Sequence, residues 1–310
     1  MQLTRNAQNF PFSKVANGSV ATIGAYDGIH LGHQRLLDCV VAEARNRGVP
    51  SVVMSFEPMP REFFATGSPP ARLMRFREKY DSLRAYGIDI FFCPRFDRNM
   101  RNISADSFIR QLLIHAMNVD HLVIGDDFRF AKDRQGHVEH LERAGAALGF
   151  TLQQVPSVRI DGKRVSSTAI REALWQGNLD VAGKFLGRHY RMSGRVERGK
   201  RVGRQLGYPT ANVAIQRRQS AVLGIFAVRV SGPDWGPLDA VANVGTRPTF
   251  GGVKPLVEVH IFDFDREIYG QYIHVDFVAR LRSELKFDNV DALIEQMHKD
   301  SADAKAILAA

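Results

Sequence analysis

The sequence predicts two domains: a parallel α/β sheet covered by helices on both faces, then a small antiparallel barrel or sandwich with a C-terminal helix. Three observations carry this reading. The chain has 310 residues, more than one typical core accommodates. Its first half alternates short apolar runs with amphipathic stretches. Its second half changes to closely spaced extended segments broken by Gly, Pro and Asn.

In the first half, Val20–Ile23 reads as a buried strand. A Gly-rich turn follows, then a helix from Gln34 to Arg47, with Leu36, Leu37, Val40, Val41 and Ala44 at helical spacing and Gly48 placed to end it. Ser51–Phe56 is a second strand, Glu78–Tyr86 a helix and Ile88–Phe92 a third strand. Ser104 is placed to cap a helix running to Met117. His121–Gly125 is a strand, Gly136–Leu148 a helix and Thr151–Val155 extended. Near-continuous apolar strands separated by helices indicate a parallel sheet. Ligands of such sheets sit beyond the carboxyl ends of the strands. Two short helices, Ala169–Gln176 and one ending near Leu186, close this half.

The second half carries extended segments at Met192–Glu197, Thr210–Ile215, Ile225–Val230, Ala240–Val244, Leu256–Phe262 and Tyr272–Val278. A helix over about Val290–Leu308 ends it. The boundary falls between Lys184 and Tyr190, giving domains 1–186 and 187–310.

Composition is that of a globular protein, with 45% apolar and 24% charged residues. No apolar run approaches the roughly 18 residues of a membrane span, and the first residues lack the apolar core of a secretory signal. Cys39 and Cys93 belong to no metal-type cluster, so they read as two buried free thiols of a cytoplasmic protein. The net charge of +9 suits nucleic acid, an anionic membrane surface or small phosphorylated ligands. Its dispersal favours the last, and no aromatic RNA-binding signature is present.

The clearest chemical segment is Gly24-Ala-Tyr-Asp-Gly-Ile-His-Leu-Gly-His33, between a strand and a helix. A helix N-terminus offers unpaired N–H groups and about half a positive charge, and so attracts anions. Gly24, Gly28 and Gly32 let the backbone approach a phosphate, and His30 and His33 stand about one helical turn apart. Ser166-Ser167-Thr168 with Arg171 makes a second candidate anion site at another helix start. Ile124-Gly-Asp-Asp-Phe-Arg-Phe130 again follows a strand.

Taken in order, G-x-x-D-G-x-H-x-G-H, G-x-D-F-x-F and S-S-T-x-I-R resemble the FMN adenylyltransferase half of bacterial bifunctional FAD synthetases, within the H-x-G-H nucleotidyltransferase superfamily. The resemblance implies a Rossmann-like nucleotidyltransferase fold. It implies that His30 and His33 hold ATP phosphates with Gly24, Asp27, Gly28 and Gly32, and that Ser166, Ser167, Thr168 and Arg171 bind the phosphate chain in the transition state. Asp127 and Phe128 would then lie on the flavin side. The implied reaction is attack of the FMN phosphate on the α-phosphorus of ATP with release of pyrophosphate. Two positions depart from the family pattern: Met59 stands where His is usual, and Ala131 where Gly is usual.

Gly194–Arg201 approaches a Walker A loop, but Arg201 replaces its Ser or Thr and no helix follows, so that reading is rejected. Gly199, Gly203 and Gly207 instead permit a basic loop leading to Pro209-Thr-Ala-Asn212. Thr210 and Asn212, two apart at a strand start, would share a face and supply hard oxygen donors. Glu258 lies opposite the apolar face formed by Val257, Val259 and Ile261.

The P-T-A-N segment, Gly224–Val228, Asn243–Phe250, V-E-V-H, Phe264 and Tyr269-Gly270 resemble riboflavin kinase from about Arg188 to Phe287. That resemblance implies a small β-barrel with a C-terminal helix, with Mg²⁺ and ATP at Thr210 and Asn212. It also implies Glu258 as general base on the riboflavin 5′-hydroxyl, and Arg282 and Glu284 as flavin-side contacts. Riboflavin, FMN and FAD become substrate, intermediate and product, with ATP as co-substrate and neither nucleic acid nor membrane as partner; oligomeric state stays open. The alternative is a riboflavin kinase with a weak or altered adenylyltransferase domain, since both departures lie in the first half. A basic flavin- or RNA-binding protein ranks lower.

Overall fold

The computed structural model describes residues 1–199, 207–249 and 252–310. Contacts divide the chain into two units, Met1–Pro70 with Met74–Val165, and Ala71–Leu73 with Ser166–Ala310.

The first unit is built on a six-stranded sheet of order β1-β4-β3-β2-β5-β6, every pair parallel. The strands are β1 (Gln2–Thr4), β2 (Ser19–Ile23), β3 (Ser51–Met54), β4 (Ile90–Phe92), β5 (Val119–Gly125) and β6 (Thr151–Val155). Alternate residues feed two cores. Ala21, Ile23, Val52 and Met54 face the helical segment around Phe108 and Leu112, together with Val138 and Leu141. Val20, Val53, Phe91 and Val123 face Leu37, Val40 and Ala44 of helix α1 (Leu31–Arg47), and Leu83. Both sheet faces are therefore dry, as the apolar strands require. The chain leaves β2 for β3 on one side, and β5 lies on the other, so the strand order reverses between β2 and β5. Crevices for ligands form at such a reversal.

Several elements differ in extent from the sequence reading. Helix α1 begins at Leu31, because His30 serves as its N-cap. The second strand stops at Met54, and the helix expected from Glu78 runs Phe76–Ala85. Ser104 does cap its helix, its Oγ accepting from Ser107 N at 3.1 Å; the segment begins as α-helix and continues as π-helix over Ile109–Ala116. Cys39 is only partly buried, while Cys93 is buried; neither forms a disulfide.

The second unit contains a closed barrel of order β10-β13-β12-β11-β14-β9, with every pair antiparallel. Its strands are β9 (Tyr190–Glu197), β10 (Ala211–Ala214), β11 (Gly224–Ser231), β12 (Leu238–Thr249), β13 (Gly252–Ile261) and β14 (Tyr272–Arg282). Strands β7 (Arg159–Ile160) and β8 (Lys163–Arg164) form a separate hairpin in the first unit. Val213, Phe226, Val228, Val244, Val257, Val259 and Phe277 are fully buried in the barrel. Each such side chain contributes roughly 1.5–3 kcal/mol through removal from water. The closing helix spans Val290–Ala309, capped by Asn289 Oδ1 on Ala292 N at 2.8 Å. It seats Ala304 and Leu308 against Ala227 and Phe262. The helices Ser167–Trp175 and Leu179–Leu186 belong to this unit, as does Ala71–Leu73.

Candidate active sites

The first site grows out of the turn after β2. Tyr26 has φ 48°, Gly28 φ 93° and Ile29 φ 41°, so three of four consecutive residues lie in the left-handed region. Two of these carry side chains, and such backbone persists only where the surroundings enforce it. Tyr26 and Ile29 are fully buried, and the Tyr26 hydroxyl bonds Thr22 Oγ1 at 2.7 Å. Burial raises the Tyr26 hydroxyl far above the ordinary tyrosine range.

His30 sits at the N-cap of α1, its Nδ1 accepting from His33 N at 3.3 Å. That leaves the ring proton of a neutral His30 on Nε2. The two imidazoles stack at 3.7 Å with an interplanar angle of 15°. His33 also meets the Tyr26 ring at 4.9 Å. Enclosure of the His33 ring, then the charges of His30 and Lys79, push its pKa well below the ordinary 6.5. His33 is thus neutral at neutral pH and offers an N–H dipole, not a full charge. Unfolded His33 takes up a proton below about 6.5 and the folded one does not, so its contribution to stability falls as pH drops through that range. Its Nδ1 is buried and has no hydrogen-bond partner among the described residues.

Lys79, which sequence reading passed over, is 2% exposed. Its Nζ donates to Ala25 O at 2.6 Å and to Ser55 Oγ at 3.3 Å, fixing a cation beneath the turn. Asp27, expected among the phosphate contacts, is buried and accepts from Met74 N at 2.9 Å. Gly24 and Gly32 are close-packed: a Cβ there would lie 3.0 Å from the Tyr26 ring and 3.2 Å from the His30 ring respectively. A surface depression lined by Met1, Gln2, Lys14, Val49, Pro50 and Asp89 lies at the opposite, amino end of these strands. Its one carboxylate is engaged by Ser51 N and Oγ at 2.9 and 2.7 Å.

The turn after β5 lies on the same edge of the sheet as the turn after β2. Asp127 pairs with Arg164 at 2.5 Å, both side chains well exposed. Phe128 stacks on Phe130 at 5.7 Å. Ser157 donates from Oγ and N to Asp126 at 2.6 and 2.9 Å, and this holds the Asp126 carboxyl below its usual range. Ala131 has φ 63° and ψ −170°, a region essentially reserved for glycine that costs a side chain about 1–3 kcal/mol. Ala131→Gly is therefore expected to stabilise the protein by about 1 kcal/mol, after the greater freedom of unfolded Gly is subtracted. Thermal unfolding should show a rise of about 3 °C; an unchanged or lower Tm would count against strain at this position. Met59 is buried, and its N–H donates to Glu62 Oε2 at 3.0 Å at the start of a short helix.

In the second unit, Ser166 caps the Ser167–Trp175 helix, its Oγ accepting from Ala169 N at 3.2 Å. Arg171 donates from Nε to Ala71 O at 2.6 Å and from a terminal nitrogen to Ser167 O at 3.0 Å. Thr168 is exposed on the first turn of this helix.

The barrel site is a row across neighbouring strands. Asn212 stands opposite Glu197 of β9 and opposite Glu258 of β13, and Glu258 stands opposite Asn243 of β12. Directly paired residues share a face with Cβ atoms about 4.5–5.5 Å apart. Glu258, Asn212 and Asn243 are half-buried on the outer face, while Val257 and Val259 fill the interior. Asn243 Oδ1 is buried and has no partner among the described residues. Asn243 belongs to a sequence motif, and its register sets it directly beside Glu258. Thr210 immediately precedes the strand, which begins at Ala211.

Gly199 leaves no room for a Cβ because the Asn212 amide packs on it, and Gly207 has φ 83°. Gly203 lies outside the described residues. Arg282 is bound by Asp300 through two bonds of 2.8 and 2.6 Å, which places it as a tie to the C-terminal helix. The Glu284 carboxylate lies where a side chain at Gly245 would go. Gly245 is two residues beyond Asn243, so Glu284 closes over the face that carries Glu258.

Two family models match the chain: FAD synthetase over residues 12–169 and riboflavin kinase over residues 186–308. A Haemophilus influenzae bifunctional riboflavin kinase/FMN adenylyltransferase is 42% identical over 306 residues, covering 99% of each chain. The chain belongs to this family. The Escherichia coli K12 member is 42% identical over 305 residues, covering 98% of this chain and 97% of its own. The Pseudomonas fluorescens member is 41% identical over 312 residues, covering 100% and 98%. A solved Streptococcus pneumoniae structure, described as a macrolide-efflux protein, aligns with TM-score 0.84 and 31% identity over 98% of each chain. Among the described residues of this riboflavin kinase/FMN adenylyltransferase family member, no helix is long and apolar enough to cross a membrane.

Proposed function

We infer that the chain makes FMN from riboflavin and ATP in its second domain and FAD from FMN and ATP in its first. The observation that carries this is the pair of family models on one chain, FAD synthetase over residues 12–169 and riboflavin kinase over residues 186–308. It favours the two-activity reading over a kinase with an idle first domain. The functional boundary is placed at 186/187.

In the kinase reaction Glu258 takes the proton of the riboflavin 5′-hydroxyl as the oxygen attacks the γ-phosphorus of ATP, and ADP leaves. Asn243 beside it keeps a polar, hydrogen-bonding wall on the carboxylate. Thr210 and Asn212 would hold Mg²⁺, which supplies charge neutralisation on the phosphates when bound. Their hard oxygens suit that ion, which keeps several waters and takes few protein ligands. Among the described residues no cluster of three His, Cys, Asp or Glu side chains competes for a metal. Gly199 gives Asn212 its space, and the family resemblance assigns Gly199, Gly203 and Gly207 to phosphate binding. Arg282 and Glu284 act on the flavin side, Glu284 directly and Arg282 by fixing the strand end to the helix.

In the adenylyl transfer an FMN phosphate oxygen attacks the α-phosphorus of ATP and pyrophosphate departs. The turn Gly24–His33 supplies backbone N–H groups and two imidazoles to the phosphates, with Lys79 beneath it as a fixed cation. The family resemblance assigns Ser166, Ser167, Thr168 and Arg171 to the phosphate chain and Asp127 and Phe128 to the flavin. Such transfer depends on alignment and charge stabilisation, with no covalent nucleophile. Two cysteines outside any disulfide fit a cytoplasmic location. The test is to supply FMN and ATP with magnesium and follow pyrophosphate. One pyrophosphate per FAD supports the reading, and FMN left unchanged contradicts it.

A further inference from the structure

We propose that the C-terminal helix belongs to the kinase machinery, because two histidines clamp the segment that carries Thr210. The inference rests on the assignment of Thr210 and Asn212 to the metal–ATP site.

Thr210 precedes the β10 ladder, whose first pair is Ala211 with Val259. Strand pairing therefore does not position it, and Pro209 brings no N–H of its own. Side chains take over. The Tyr208 hydroxyl bonds His298 Nδ1 at 2.6 Å, between residues 90 apart in the chain. The Tyr208 ring is buried and meets the His298 ring at 5.3 Å and the His260 ring at 5.0 Å. His260 Nδ1 donates to Pro209 O at 2.9 Å, which fixes its tautomer. His260 is two residues beyond Glu258 on β13 and so shares its face. One clamp arm thus starts from the strand of the general base and the other from the helix.

The helix can serve as an anchor because it is fixed independently. Ala304 and Leu308 pack on Ala227 and Phe262, and Asp300 holds Arg282 and accepts from Gln296 Nε2 at 2.8 Å. Tyr208 and His298 are positioning residues: they act on Mg·ATP through the placement of Thr210.

The experiment compares Tyr208→Phe, His298→Phe and the double variant in the full chain, with Thr210→Ala alongside. Each Phe variant keeps a ring and removes one side of a single hydrogen bond. The KM for Mg·ATP in riboflavin phosphorylation should rise about threefold to tenfold. Adenylyl transfer from supplied FMN should not change. The double variant should be no worse than the worse single one, and His298→Gln should recover part of the loss through its side-chain carbonyl. An unchanged KM in both Phe variants, with a raised KM in Thr210→Ala, overturns the clamp alone. An unchanged KM in Thr210→Ala overturns the metal-site assignment and the clamp with it. Equal loss of both activities with a lowered Tm overturns the positioning role.

Discussion

Glu258→Gln is expected to lower FMN formation from riboflavin by ~10²–10⁴ while FAD formation from supplied FMN continues at its original rate. Gln keeps the volume and hydrogen-bonding reach of Glu but cannot take a proton. The substitution therefore isolates proton transfer from packing. Glu258 stands between Asn212 and Asn243 in the barrel ladder. Among the described residues no cation pairs with it, so its removal leaves no buried charge unpartnered. Stability should hardly change, and a Tm within about 1 °C of the parent would show it. FMN resolved by chromatography is the readout. Unimpaired phosphorylation would remove Glu258 from the role of base.

The converse experiment is His30→Ala with His33→Ala. Loss of the two imidazoles should slow adenylyl transfer by on the order of 10²–10³, the usual cost of removing a donor aimed at developing charge. Riboflavin phosphorylation should persist. His30 is also the cap of α1, and its loss carries about 1 kcal/mol of destabilisation. His33→Ala alone avoids that cost and should retain most of the catalytic effect. Loss of phosphorylation in a folded His33→Ala protein would contradict separate sites.

The parts of this account that were legible in sequence are those where one residue type has one physical use. Gly24 and Gly28 marked the turn between a strand and a helix, and alternating Val257, Glu258 and Val259 separated the inner from the outer face of a strand. Lys79 was not legible, because a lysine on an amphipathic helix ordinarily lies in water; only tertiary structure brings Ala25 O and Ser55 to it. The bond from Met74 N to Asp27 joins residues too far apart in the chain to be read locally. Ala131 was seen as a departure from a pattern, and its positive φ supplies the physical meaning of that departure. Strand β1, three residues long at the sheet edge, offers too few positions for periodicity. The Tyr208–His298 bond joins residues too far apart for any local signal.

The central claim is that one chain carries both activities at separate sites. Its most direct test is a time course of the purified chain with riboflavin, ATP and Mg²⁺, with flavins resolved by chromatography. FMN should rise first and then fall as FAD accumulates. FMN that accumulates to completion without FAD would contradict the claim.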